Sequence, residues 1–412
     1  MKRRVVITGL GTVNPIGNSI DETWKSVLEG RCGIDTITNY DVSDRKVKLA
    51  GEVKNINFED YIEKKELRKL DRYSVFAMIA AKEAIEMSGL DYKNKDTTRW
   101  GVLLSSGIGG IATIENEDKK GFEKGYDRVS PFFIPMAISN MAAGNIAIKY
   151  NLKGMCSCVV SACASGTNAI GDAFRHIRDG YGDVMVCGGS EAAITPLSIG
   201  GFTSMHALSQ SEDPKRASIP FDKERNGFVM GEGAGVLVLE EYEHAIARGA
   251  NIYAEMAGYG SNCDAYHITS PSLDGEGAIR CMKLALNDAR IAPEEIDYIN
   301  AHGTSTAIND KTETLAIRAA FGSHADELKV SSTKSMTGHL LGASGGVEAV
   351  ITSLAIVNSF VPPTIGYRVI DEQCNLDIVP NNGVNMEIGY ALSNSLGFGG
   401  HNATIIIKKF EE

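Results

Sequence analysis

Hydrophobic positions follow two periods along the chain, and the two alternate. Val5, Val6 and Ile7 form a short apolar run that meets Gly9 and Gly11 almost at once, which predicts an opening strand. Residues 81–90 carry a helical period that ends at Gly89, and residues 282–291 repeat the pattern without the glycine. Each is followed by a polar link and an apolar run that stops at a glycine, Trp100 to Gly107 and Ile296 to Gly303. Val159 to Cys163 predicts a strand running into a helix rich in small residues, from Ala164 to about Arg178. Ser335 to His339 leads into a second such helix containing Gly342, Ala343, Gly345, Gly346 and Ala349. Glycine-rich turns followed by β-rich runs then close each half, at Gly231–Gly235 and at Gly397–Gly400.

Four matched segments in the same order predict a duplication. The boundary falls near Ala247–Ile252, giving halves 1–250 and 251–412 that share one core. Strands alternating with helices place the chain in the α/β class, with a largely parallel or mixed sheet in each half. The helix after Ala164 shows small or apolar residues around much of its circumference, so neighbours can cover several sides. The expected architecture is layered: two sheets, a pair of buried helices between them, and further helices outside.

Composition narrows the function. The 412 residues carry a net charge of −11, which argues against a nucleic-acid surface. No apolar run suggests a membrane span, and the basic start at Lys2 to Arg4 lacks the cleavage site of a secretion signal. Eight cysteines in so long a chain do not make a disulfide framework. A soluble cytosolic protein is expected.

Cys163 lies between an apolar run and a helix, where free backbone N–H groups and the helix dipole favour a thiolate. Cys156 and Cys158 lack that setting and read as packing residues. His302 ends a strand, and His339 precedes the second small-residue helix. In the repeat, His339 matches Cys163 and His302 matches Ser106, so a pseudo-two-fold would gather one thiol and two imidazoles. His176, His206, His244 and His324 read as structural. A zinc site at Cys163, His302 and His339 has no further ligand or compact spacing to support it. Lys334 and Glu348 either pair beneath the histidines or are both solvated.

The segments Val160–Gly166, Ala301–Thr306, Lys334–His339 and Gly397–Gly400 together resemble the β-ketoacyl-[acyl-carrier-protein] synthases of bacterial fatty-acid synthesis. The likeness spans essentially the whole chain and is greatest to the synthase II type, which has the thiolase fold, a layered αβαβα pseudo-duplication. The resemblance implies a decarboxylative Claisen condensation in a homodimer that uses no cofactor or metal. Substrates would arrive on the phosphopantetheine of acyl carrier protein. Cys163 would carry the acyl group, and the N–H groups of Cys163 and Phe398 would form the oxyanion hole. His302 and His339 would serve decarboxylation, with Lys334 and Glu348 behind them. Thr304 and Thr306 would bind the pantetheine arm, Phe398 would act as a gate, and Ile108 would lie near the acyl pocket. His401 departs from the threonine of many relatives. A polyketide ketosynthase and a non-catalytic chain-length partner are the alternatives.

Lys64, Lys65, Arg68, Lys69 and Arg72 fall at i, i+1, i+4, i+5 and i+8, which predicts one arc of about 140° on a helix. On an acidic protein, that arc is a candidate docking patch for an acidic carrier protein.

Overall fold

A computed structural model describes residues 2–411. Its main sheet contains β1 (Val5–Val13), β2 (Trp100–Ser105), β3 (Cys156–Ser157), β4 (Val184–Glu191) and β5 (Gly233–Glu241) from the first half. The second half supplies β6 (Ala254–Cys263), β7 (Tyr298–Asn300), β8 (Lys329–Ser331), β9 (Tyr390–Gly397) and β10 (His401–Lys408). The longer helices are α1 (Arg72–Ser88), α2 (Ile111–Lys124), α3 (Ser165–Arg178), α4 (Glu276–Ala289), α5 (Ala307–Phe321) and α6 (Ser344–Asn358).

The strand order is β8-β7-β9-β10-β6-β1-β5-β4-β2-β3. From the centre outward, each half has two antiparallel pairings followed by two parallel ones. The duplication read from the sequence is therefore visible in topology and strand direction alike. One expectation changes. The two sheets are hydrogen-bonded into one ten-stranded sheet, because Val5, Val6 and Ile7 of β1 pair with Met256, Glu255 and Ala254 of β6.

The buried helix pair is α3 and α6, which pack on each other and touch strands of both halves. Small residues permit that approach. A Cβ on Gly346 of α6 would lie 2.3 Å from the carbonyl oxygen of Gly235 in β5, so any larger side chain would force helix and strand apart. The segment Leu341–Asn358 has a mean hydropathy of 1.3, long and apolar enough to cross a membrane, and the sequence reading passed over it. Burial of 89% of that window explains its composition as that of a core helix.

Local chemistry sets the ends of the outer helices. Asp71 caps α1 by accepting from the Tyr73 N–H, and Gly89 ends it at φ 67°. Arg290 takes the same left-handed position after α4, at φ 61°, where the sequence has no glycine.

Candidate active site

Cys163, His302 and His339 line one cavity of about 360 Å³, together with Thr304, Thr306 and Phe398. The strand expected before Cys163 is shorter than the apolar run suggested. It ends at Ser157, and Cys163 sits in a 3-10 turn, Ala162–Ala164, that leads into α3. Ala162 has φ 50°, an uncommon conformation for a residue with a side chain, and it turns the chain sharply at the elbow. Cys156 is exposed on β3, so the packing role expected for it does not hold.

Burial pushes the Cys163 thiol up to about 12, while the Lys334 charge and the Phe398 N–H pull the other way. The resting thiolate expected from the helix dipole is thus overruled by desolvation, and the group rests as a thiol. Gly397 brings the neighbouring loop against the elbow. A Cβ there would lie 2.7 Å from the Ser161 oxygen and 3.2 Å from the Cys163 nitrogen. Phe398 is half-buried, and its ring lies 6.2 Å from that of Phe202.

The imidazoles of His302 and His339 stand edge to face with centroids 5.2 Å apart. Both rings are held well below the usual histidine range, first by burial and then by the Lys334 charge. They are neutral donor–acceptor groups at neutral pH. Lys334 is almost wholly buried, bonds Glu348 through Oε1, and lies 3.4 Å from Nδ1 of His302. Of the two readings open for this pair, the structure gives the buried one. An ammonium only donates, so His302 Nδ1 accepts and its proton resides on Nε2. His339 Nδ1 lies 2.8 Å from Ser344 Oγ. With that hydroxyl donating, His339 also carries its proton on Nε2.

Thr304 and Thr306 bond each other through their hydroxyls at 2.9 Å on the cavity wall. Ile108 lies outside that lining but shares an apolar cluster with Cys163, Phe202, Phe228 and Leu341. Sequence reasoning missed Glu313, whose carboxylate accepts from the N–H groups of His302 and Gly303 at 2.8 Å each. Burial raises Glu313 to about 7. No spacing rule announces such a group, because its partners are backbone. His206, read as structural, lines the cavity. His176, His244 and His324 instead contact Tyr181, Glu240 and Ile296.

Two sequence expectations fail on local geometry. The match of His339 with Cys163 is off by three residues: Leu341 repeats the φ of Ala162, 49° against 50°, so Gly342 is the counterpart of Cys163. The basic arc does not form either. Its helix spans only Lys64–Leu67, and a new helix starts at Arg72 because Asp71 caps it. Lys64, Lys65 and Lys69 are paired with Glu59, Glu63 and Glu66 at the surface. Arg68 is exposed. Arg72 points inward to buried Glu232, with Nη2 at 2.6 Å from Oε1.

Comparison with known proteins agrees with this geometry. Residues 2–245 match the family model for the β-ketoacyl synthase N-terminal domain, and residues 253–368 match that for its C-terminal domain. The chain is 52% identical over 411 residues to 3-oxoacyl-[acyl-carrier-protein] synthase 2 of Synechocystis, covering 100% of this chain and 99% of that one. It is 53% identical over 409 residues to the enzyme of that name from Staphylococcus aureus, covering 99% of each. Among solved structures, a type II polyketide ketosynthase in complex with its acyl-carrier protein superposes with a TM-score of 0.92 at 38% identity, over 100% of both chains. A β-ketoacyl synthase from Burkholderia phymatum does so with a TM-score of 0.92 at 34% identity, again over 100% of both.

Proposed function

This chain belongs to the β-ketoacyl synthase family, and from that premise we propose how its residues divide the labour of condensation. The reaction joins an acyl group to malonyl-[acyl-carrier protein], releasing CO₂ and giving a 3-oxoacyl-[acyl-carrier protein] two carbons longer. The observation that carries the assignment is the shared cavity of Cys163, His302 and His339.

In the first step, the Cys163 sulfur attacks the acyl thioester of the carrier. Its proton passes to the departing carrier thiolate, so one thiol replaces another. A neutral thiol suits this exchange, because no charge has to persist in the buried site between turnovers. In the second step, malonyl-carrier enters past Thr304 and Thr306. The bond to its carboxylate breaks, and the electron pair moves into an enolate. The two Nε2–H groups of His302 and His339 hold the enolate oxygen, and they do so as neutral donors that keep their protons. The enolate carbon then attacks the acyl-Cys163 carbonyl. The N–H groups of Cys163 and Phe398 take up the negative oxygen, and collapse of that intermediate expels the Cys163 thiolate, which is reprotonated from solvent. Phe398, between Gly397 and Gly399, is the movable cover of this site.

Identity favours fatty-acid elongation over polyketide synthesis: 52% to the Synechocystis synthase 2 against 38% to the polyketide ketosynthase. The presence of Cys163 speaks against a non-catalytic chain-length partner. We assign the substrates to acyl carrier protein, which approaches on the exposed cations Lys64, Lys65 and Arg68 and on half-buried Lys69. Their surface ion pairs are weak enough to exchange. A homodimer is proposed on the edge strand β3, whose two residues are exposed beside Met155 and Val160, an unpaired edge that a second copy would cover. Eight unpaired cysteines favour a reducing, cytosolic location. No resident cofactor or metal enters the scheme.

Intact-mass measurement after incubation with acyl-[acyl-carrier protein] tests the assignment. One acyl adduct, absent from Cys163→Ala, is expected; no adduct on the unaltered protein overturns it.

A further inference from the structure

The two halves carry two elbows, and only one holds a nucleophile. Each elbow opens on a residue with φ near +50°, Ala162 or Leu341, and continues through a 3-10 turn into a central helix. Cys163 and Gly342 hold the same place in the duplication. The Cys163 N–H is beside the end of β9, where Phe398 follows Gly397. The N–H of Gly342 is instead filled from within. Glu191 is the last residue of β4, the strand that corresponds to β9, and its Oε2 lies 3.0 Å from the Gly342 nitrogen.

The same carboxylate accepts from Gly107 N at 2.7 Å, from Ser106 Oγ at 2.7 Å and from Ile108 N at 3.2 Å. Glu191 has no solvent exposure, and no ion pair to it forms among the described residues. Burial raises its pKa, against the pull of Ser106 and the three N–H groups. A buried carboxylate without a cation is a costly way to join two loops. Those loops bear Ile108 and Leu341, and both side chains belong to the apolar cluster that contains Cys163.

We propose that Glu191 is a specificity-determining positioning residue: it locks Ile108 and Leu341 into one wall beside Cys163 and thereby sets the length of acyl chain that the Cys163 thioester can carry. This rests on the assignment of Cys163 as the acyl-bearing residue.

Glu191→Gln in the full-length protein tests it. Glutamine offers one oxygen and one NH₂ group. The NH₂ cannot face the Gly107 and Gly342 N–H groups, so it turns toward Ser106, whose hydroxyl can accept, and the Ile108 bond is lost. Loading of Cys163 is followed by intact mass with acyl-[acyl-carrier protein] of graded chain length, beside CO₂ release from malonyl-[acyl-carrier protein]. The ratio of long-chain to short-chain loading is expected to shift about 3- to 10-fold, the worth of one hydrogen bond, with CO₂ release changed by less than about 2-fold. Ser106→Ala removes another donor and should move the ratio in the same direction; it carries the test if Glu191→Gln fails to fold. An unmoved ratio, or equal losses at every length, overturns the proposal alone. Absence of any adduct on the unaltered protein overturns the acyl-Cys163 assignment and this proposal with it.

Discussion

The Lys334 ammonium bonds Glu348 and lies 3.4 Å from Nδ1 of His302, so one buried cation both neutralises a carboxylate and fixes the proton of an imidazole. Because Lys334 cannot accept, it selects the tautomer with the proton on Nε2 in a ring that lines the cavity. The same charge helps keep both histidines neutral.

Replacing Lys334 by methionine should therefore slow decarboxylation more than acylation. Loss of a preorganised donor of this kind costs about 10²- to 10³-fold. Acyl loading of Cys163 should fall by no more than about 10-fold, the effect of one long-range charge on the thiol. Stability should drop by about 3 kcal/mol, since Glu348 is left buried without its partner. CO₂ release, adduct formation and chemical denaturation on one preparation check the three parts.

The pH dependence has a defined sign. His302 and His339 have folded pKa values well below their ordinary value, so the folded state binds fewer protons than the unfolded one as pH falls below about 6.5. Their contribution is intact above that pH and is lost as pH falls toward the folded values. Glu313 acts in the opposite sense. Its folded value of about 7 lies above the ordinary 4.5, so its contribution is present below 4.5 and lost as pH rises to about 7. Decarboxylation should show no acid limb between about pH 8 and pH 6.5, because neither imidazole protonates there. Glu313→Gln removes the loss that Glu313 brings between pH 4.5 and 7, so the stability of the variant relative to the unaltered protein should rise with pH across that range, measured by denaturation of both proteins at its two ends.

The basic segment should split into two kinds of residue. Charge reversal at Lys65 and Lys69 should raise KM for carrier-bound substrates while leaving small thioesters unaffected, as expected for a surface that steers a charged partner. Arg72→Ala should instead destabilise the fold by about 3 kcal/mol, because buried Glu232 loses its partner. Steady-state kinetics with both substrate types, together with denaturation curves, separate the two.

The duplication and the gathering of Cys163, His302 and His339 in one cavity were legible because they are written in periodicity and in ordered motifs. The strand ends and small-residue helices follow from local patterns that tertiary packing reinforces. What the sequence concealed depends on contacts distant along the chain. The joining of β1 to β6 is a backbone pairing that no side chain announces. Glu313 and Glu191 act on N–H groups, so their roles leave no motif. The break at Asp71 depends on one capping carboxylate interrupting a run that otherwise reads as helical. The thiol of Cys163 shows the same limit: its position suggests ionisation, and only burial reveals that the proton stays.

The division of labour between sulfur and imidazoles is tested most directly by measuring CO₂ release and acyl-adduct formation side by side in Cys163→Ala and in the double variant His302→Ala/His339→Ala. The first should release CO₂ from malonyl-[acyl-carrier protein] without forming an adduct or condensed product, and the second should take the acyl adduct without releasing CO₂. Loss of both activities in either folded variant would contradict the account.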